Sequence, residues 1–370
     1  MEFHVYENAR AACEAAGVLI AVLGNVFNEP LMRLLGATET AMPYALDYAR
    51  YIFLAAPFMM GSLSMNNLLR FQGLATYGMV GIISGGLLNM LLDPLLIFVF
   101  DMGIAGASIA TAISQLTSFA ILLVMCGTHA DAITIHPRNY RPTKQMYAKI
   151  LNNGLPSLGR QGIMSVSTSL LNNAAAVYGD PAIAAFAIVS RCLNFVNSTV
   201  VGFGQGFQPV CGFNYGAFLY DRVKEGFWFC VKVATAILIV LSAAGYLLAP
   251  QVIQLFSKND PQVIAIGTQA LRWQCLTFPL CGWITICNMM LQTIGKSFRA
   301  SLLAMSRQGL FFIPAVLLLP ALIGIQGVEI AQPIADVCSF VLAIPLQLSV
   351  LHEMTVKQRE AACAPLAAEG

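Results

Sequence analysis

Ten long apolar segments occupy most of this chain of 370 residues, and they favour a bundle of membrane-spanning helices over any other fold. Each segment is long enough for the roughly 20 residues of helix that cross the hydrocarbon core of a bilayer. The segments cover residues 11–35, 45–69, 77–100, 103–127, 150–178, 181–213, 227–250, 262–294, 300–323 and 327–351. The first is the weakest, because polar residues interrupt it at Glu14, Asn25, Asn28 and Glu29. The predicted fold class is an all-α polytopic membrane protein.

The scarcity of charged residues supports the same conclusion. Charged side chains make up 10% of the chain, whereas a soluble domain has roughly 25%. Apolar residues make up 58%, and the mean hydropathy is +0.72. Such a chain cannot cover a water-facing surface, so the lipid bilayer is its expected environment. The net charge of +2 gives no reason to expect a nucleic-acid partner.

One block of sequence occurs twice. GIAGASIATAI at residues 103–113 and GIQGVEIAQPI at residues 324–334 are identical at six of eleven positions, at a shift of 221. Further identical pairs lie upstream at nearly the same shift: Pro30 with Pro250, Arg50 with Arg272, Pro57 with Pro279, Leu69 with Leu291, and Gly73 with Gly295. Two copies of one membrane unit in a single chain are typical of secondary transporters.

The two copies differ in what precedes them. Two apolar segments, 150–178 and 181–216, come before the second copy, and none comes before the first. The internal symmetry therefore predicts two further helices upstream, and a complete copy would have six. An even number of helices gives both copies the same orientation, related by an axis along the membrane normal. A long polar stretch at 128–149 separates the two copies and is predicted to be an inter-lobe loop. The remaining predicted parts are an N-terminal lobe at 1–127, a C-terminal lobe at 150–351 and a tail at 352–370.

Basic residues are concentrated in alternate gaps between the segments. These gaps contain Arg70, Arg138, Arg141, Lys144, Lys149, Arg222, Lys224, Lys296 and Arg299. The other gaps offer little beyond Arg33 and Lys258. Because basic loops stay on the cytoplasmic side, we expect both termini in the cytoplasm and a location in the inner (plasma) membrane.

Asn89 and Asp93 form the strongest candidate site for an ion. A spacing of four residues places both on one face of a helix, and Asp93 lies well inside an apolar run. Ionisable residues in a membrane span are costly and are functional candidates by default, here for binding H⁺ or Na⁺. Thr111, in the next segment, adds a neutral oxygen. Alternatively, Asp93 caps a helix broken at Pro94, or pairs with a buried arginine.

Other polar residues inside the apolar segments are candidates for a substrate cleft or a gate. They are Arg160, Gln161, Arg191, Asn194, Gln205, Arg307 and Asp336. An Arg–Asp pair that locks the bundle is the alternative interpretation for the charged members. The amides could equally make interhelical hydrogen bonds that stabilise the bundle.

The motifs of common soluble enzymes are absent from the sequence. It contains no GxxxxGK[ST], HExxH or GxSxG pattern, and its cysteines and histidines show no metal-binding spacing. We therefore expect a transporter rather than an enzyme, with no cofactor and no metal beyond Na⁺ near Asp93. An ion gradient would supply the energy.

Several motifs together resemble the multidrug and toxic compound extrusion (MATE) family. They are Asn67-x2-Arg70-x2-Gly73, NMLLDPLLIF from Asn89, GIAGASIATAIS from Gly103, GLPSLGRQ from Gly154 and MLQTIGKSFRAS from Met290. The resemblance implies two six-helix lobes that open alternately to either side of the membrane. It also implies export of cationic or amphipathic organic compounds by a monomer, in exchange for H⁺ or Na⁺. Asn89, Asp93 and Thr111 match part of the family's N-lobe cation site.

The sequence departs from the family pattern in two places. The first two family helices, and the acid that the first contributes to the cation site, have no counterpart in the chain. The stretch 160–167 also lacks the Glu that some branches carry there. Two alternatives remain open: a related flippase for lipid-linked sugars, for which Arg160 and Arg191 would supply a cationic cavity, and an inactive, shortened transporter.

Overall fold

The computed structural model describes residues 2–34, 42–129, 144–257 and 260–363, and every regular element in these ranges is a helix. The helices are α1 (Glu2–Val26), α2 (Asn28–Leu34), α3 (Met42–Phe71), α4 (Ala75–Pro94), α5 (Gly103–His129), α6 (Lys144–Ala176), α7 (Asp180–Gly216), α8 (Tyr220–Leu247), α9 (Ala249–Phe256), α10 (Pro261–Thr293), α11 (Ser297–Met305), α12 (Phe312–Ile323) and α13 (Ile325–Cys363). Two π-helical turns, Leu95–Val99 and Ser306–Leu310, follow α4 and α11. This all-helical structure confirms the predicted fold class.

In the part of the chain that the structure describes, eight helical segments are long and apolar enough to cross a membrane. They are Met42–Phe71, Ala75–Val99, Gly103–Thr128, Asp180–Gly216, Tyr220–Leu247, Pro261–Thr293, Ser297–Ile323 and Ile325–Arg359. The remaining two predicted spans are also helical. The apolar part of α1 is confined to Ala11–Val26, and α6 contains Lys144, Lys149 and Arg160. Within the described residues, the apolar helix Ala11–Val26 is shorter than the roughly 20 residues that cross a bilayer.

The chain divides into two compact units, Met1–Ile150 and Leu151–Gly370. Residues 130–143 of the predicted inter-lobe loop lie outside the described part of the chain, as do residues 364–370 of the predicted tail. The described edges of that loop are helical, since α5 extends to His129 and α6 begins at Lys144.

In the first unit, α3 packs against α1 and α5, and α4 packs against α5. The contact between α4 and α5 is close because α4 presents glycines there. A Cβ atom added at Gly81 would overlap the side chain of Leu122, and one added at Gly85 would overlap Ser118. The Ser118 hydroxyl donates a hydrogen bond of 2.8 Å to the Gly81 carbonyl. Small residues that allow backbones to approach are the usual means of packing helices in lipid.

In the second unit, α10 is the central helix and packs against α7, α8 and α13. Its buried side chains include Leu271, Phe278, Ile286, Met290 and Leu291. By contrast, apolar side chains elsewhere point away from the protein: Leu91, Phe98, Val240 and Leu322 are each at least two-thirds exposed. Such outward apolar surface suits a lipid environment.

The repeat in the sequence corresponds to the same turn in each unit. Gly73 has a φ of +81° and Gly295 a φ of +79°, a region that favours glycine. In both units, the next residue donates its N–H to a carbonyl five residues earlier, from Leu74 to Leu69 and from Lys296 to Leu291, each at 2.9 Å. The two glycines thus end α3 and α10 in the same way.

Candidate ion-coupling and substrate sites

The structure brings Asn89, Asp93 and Thr111 together in the first unit. Asn89 and Asp93 lie one turn apart on α4, and Thr111 lies on α5. The Asn89 amide nitrogen donates to Asp93 Oδ1 at 3.3 Å and to Thr111 Oγ1 at 3.4 Å. The Thr111 hydroxyl in turn donates to the Ala107 carbonyl at 3.0 Å, so its oxygen is held facing Asn89. All three side chains are half-buried.

The backbone beside this cluster is not a regular α-helix. Pro94 has no N–H to donate, and the π-helical turn Leu95–Val99 follows it directly. The N–H of Phe100 reaches back five residues to the Leu95 carbonyl at 3.0 Å. Pro94 therefore widens the helix rather than breaking it after Asp93. Single π-helical turns inside α-helices often occur at functional sites.

The oxygens of the cluster suit a small cation. Within the described residues, no basic group lies within 4 Å of the Asp93 carboxylate, so the structure gives no support there to pairing with a buried arginine. The Asn89 amide uses its nitrogen toward both neighbours, which leaves its Oδ1 without a hydrogen bond among the described residues. A carboxylate, an amide oxygen and a hydroxyl are ligands that hard cations prefer, and the carboxylate alone can accept a proton.

A second cluster surrounds Asp336 in the second unit. Asp336 is fully buried on α13. Its Oδ1 accepts from Arg307 Nε at 2.6 Å and from Gln332 Nε2 at 3.0 Å. Its Oδ2 accepts from Gln274 Nε2 at 2.8 Å and lies 3.4 Å from the Thr277 hydroxyl. The hydrogen-bond donors and the positive charge of Arg307 offset the cost of burying the Asp336 carboxylate.

Arg307 joins this cluster to a cavity. It lies in the π-helical turn Ser306–Leu310, and its remaining nitrogens contact Asn197 Oδ1 at 3.2 Å and Cys281 Sγ at 3.3 Å. The cavity, of about 400 Å³, is bounded by helices of the second unit. The polar residues in its wall are Asn194, Asn197, Ser198, Gln205, Gln208, Thr285, Asn288, Gln292, Arg307 and Gln308.

Three of the predicted cleft residues thus share one cavity: Asn194, Gln205 and Arg307. Asp336 contacts it only through Arg307. Gln161 and Arg191 are exposed and are not part of its wall. Arg160 lies on α6, but its side chain is outside the described residues. The structure does contain the Arg–Asp pair that the sequence offered as an alternative, between Arg307 and Asp336.

Sequence reasoning missed several members of these sites. Gln274 and Gln332 complete the shell of Asp336, and nothing in their local sequence distinguishes them. Glu329 is a different case: it is only 6% exposed, and its Oε2 has no hydrogen-bond partner among the described residues. The sequence did mark Glu329, because an acidic residue stands there in the repeated block at the position where the first copy has Ser108.

Comparison with known proteins identifies the family. The family model described as MatE matches residues 12–95 and 156–318, more than half of the chain. The chain belongs to the MATE family. This confirms the resemblance seen in the motifs: the protein is a membrane protein of the MATE multidrug efflux transporter family.

Relatives of this MATE protein carry export names. It is 28% identical over 344 residues to the multidrug export protein MepA of Staphylococcus haemolyticus, an alignment covering 92% of this chain and 75% of the relative. It is 26% identical over 346 residues to MepA of Staphylococcus aureus strain NCTC 8325, covering 94% of this chain and 76% of that one.

Solved structures share the fold. The outward-facing conformation of a multidrug resistance MATE family transporter of the MOP superfamily superimposes with a TM-score of 0.89 at 23% identity, covering 95% of this chain and 79% of that one. A crystal structure of MATE in complex with MaL6 gives a TM-score of 0.88 at 23% identity, covering 94% and 80%.

Proposed function

We propose that this MATE protein exports small organic cations and amphiphiles in exchange for H⁺ or Na⁺, with Asp93 as the coupling carboxylate. The observation that carries the proposal is the cluster of Asn89, Asp93 and Thr111. The Asn89 amide donates to both the Asp93 carboxylate and the Thr111 hydroxyl, and the carboxylate has no basic partner among the described residues. The family match favours export over the flippase alternative.

The physical role of each residue follows from charge. An ionised carboxylate inside the hydrocarbon region is costly, and binding one H⁺ or Na⁺ removes that cost. The occupied and empty states of Asp93 therefore differ in stability within the membrane, which is the requirement for an ion to bias a conformational equilibrium. Asn89 orients the carboxylate, and Thr111 supplies a neutral oxygen to the same ion.

The wider assignment rests on the relatives and on the loop charges. The substrate class comes from relatives named as multidrug export proteins. The inner membrane, both termini in the cytoplasm and a monomeric transporter without enzymatic activity complete the proposal. The distribution of basic loops supports the orientation.

The test is Asp93→Asn in the complete protein, compared with Asp101→Asn, which removes the same charge from an exposed turn. Efflux of a cationic dye from cells and ion-driven uptake into everted vesicles are measured after membrane insertion has been verified. We expect Asp93→Asn to abolish exchange and Asp101→Asn to retain it. Normal exchange by Asp93→Asn refutes the coupling role, and a wild-type protein that inserts yet moves no dye favours the inactive alternative.

A further inference from the structure

We propose that the cavity of the second unit is a binding site for the anionic or strongly hydrogen-bond-accepting end of an amphiphile, in the simplest case a carboxylate. This goes beyond the proposed export of cations, because it adds organic acids and zwitterions to the compounds that the protein recognises. The site is defined by the cavity wall and by Arg307, and it involves neither Asp93 nor any other residue of the first unit.

The first argument is the polarity of the Arg307–Asp336 pair as seen from the cavity. Asp336 is 0% exposed, whereas the side chain of Arg307 is 15% exposed and belongs to the cavity wall. Gln274 and Gln332 cover the carboxylate with their own amide groups. A ligand in the cavity therefore meets the positive end of the pair and is shielded from the negative end.

The second argument is the number of donors that Arg307 has left. A guanidinium carries five N–H groups. Three are directed at Asp336, Asn197 and Cys281. The two that remain, one on each terminal nitrogen, can donate to an oxygen of a ligand, and a charged donor makes the stronger class of hydrogen bond.

The third argument is the remaining wall, which contains no acidic side chain among the described residues that line it. A ligand ammonium would have no counter-charge there and would face Arg307, which repels it. The amides of Asn194, Gln208 and Gln308 make no side-chain hydrogen bond within the described part of the chain, so they are available to a ligand. Met164 and Met289 add a soft apolar surface for its hydrocarbon part.

The experiment measures binding alone, so that it is independent of transport and of Asp93. Purified full-length protein in lipid nanodiscs is titrated by calorimetry with 1-naphthaleneacetate and with 1-naphthalenemethylamine, which share a ring and differ in charge. At this cavity we expect the carboxylate to bind about tenfold or more tightly than the amine, the factor that one charge-assisted hydrogen bond provides. Amine binding that is equally tight and that the cavity variants below abolish, or no binding of the carboxylate, overturns the proposal.

Variants locate the site. The double variant Arg307→Gln with Asp336→Asn removes both charges together and should abolish the preference for the carboxylate. If that variant does not fold, the double variant Asn194→Leu with Gln208→Leu tests the location of the site instead. We expect it to weaken carboxylate binding severalfold. Arg191→Gln is the control, since it removes an exposed arginine on the same helix as Asn194 and outside the cavity. Carboxylate binding that is unchanged in the folded cavity variants, or lost in Arg191→Gln, overturns the assignment.

Discussion

Nε of Arg307 lies 2.6 Å from Oδ1 of Asp336, which joins the π-helical turn before α12 to the interior of α13. A hydrogen bond of 3.3 Å from the Ser306 hydroxyl to Ser339 Oγ joins the same two elements. In the first unit, by contrast, Asp93 has an amide neighbour and no basic group within 4 Å among the described residues. The Asp336 carboxylate of the second unit thus has an arginine as its counter-charge, whereas the Asp93 carboxylate of the first unit has no basic partner among the described residues.

Because Arg307 and Asp336 form a buried ion pair, we expect the stability effect of changing one to depend strongly on whether the other is present. Asp336→Asn alone leaves a buried guanidinium without its counter-charge, and Arg307→Gln alone leaves a buried carboxylate. Each single variant should lose about 3–5 kcal/mol of stability. The double variant should recover most of that loss, because no uncompensated charge remains. Denaturation of detergent-solubilised protein measures this, and a double variant no more stable than either single one would contradict the coupling.

The packing of α4 on α5 predicts opposite outcomes for two adjacent glycines. A Cβ atom at Gly85 would overlap the Ser118 hydroxyl and lie 3.0 Å from the Ser114 carbonyl oxygen. At Gly86 it would meet no described atom within 4 Å. Gly85→Ala should therefore destabilise the protein, while Gly86→Ala should be neutral or stabilising by up to ~1 kcal/mol through helix propensity. Thermal melting of the two variants compares them directly, and equal melting temperatures would show that this contact does not matter.

The position of Thr111 predicts a specific loss of ion affinity. Thr111→Val keeps the shape of the side chain and removes the oxygen that Asn89 contacts. Thr117→Val is the matched control on the same helix, because among the described residues the Thr117 hydroxyl bonds only to the Ile113 carbonyl. We expect the ion concentration for half-maximal efflux to rise severalfold in Thr111→Val and to stay unchanged in Thr117→Val. Equal behaviour of the two variants would exclude Thr111 from the ion site.

Two glutamates on α13 predict opposite responses to the same substitution. Glu329 is buried with an unpartnered Oε2 among the described residues, so Glu329→Gln removes a burial cost and should maintain or raise stability at pH 8. Glu353 contacts Lys296 at 2.7 Å and Arg299 at 3.0 Å and is one-third exposed. Glu353→Gln should therefore lower stability by no more than ~1 kcal/mol. A marked loss in Glu329→Gln would reveal a partner for its carboxylate.

The apolar runs were sufficient to predict the long helices, because the length and hydropathy of a segment are local properties. The short helix α9 (Ala249–Phe256) lies almost wholly between two predicted segments and was not predicted. The four-residue spacing was likewise sufficient to place Asn89 and Asp93 on one face, and the repeat predicted that Gly73 and Gly295 stand at equivalent points. Helix geometry relates Asn89 to Asp93, and the repeat relates Gly73 to Gly295, so neither relationship depends on a tertiary contact.

Tertiary structure alone decided which polar residues meet across helices. The partners of Asp336 lie 4 to 62 residues away in sequence, and Asn197 is 110 residues from Arg307. It also decided that Arg191 lies outside the cavity that Asn194, only three residues further along α7, helps to form. A sequence shows that a polar group lies in an apolar helix and must be satisfied. Which partner satisfies it depends on how that helix is rotated and packed, and this is a property of the whole bundle.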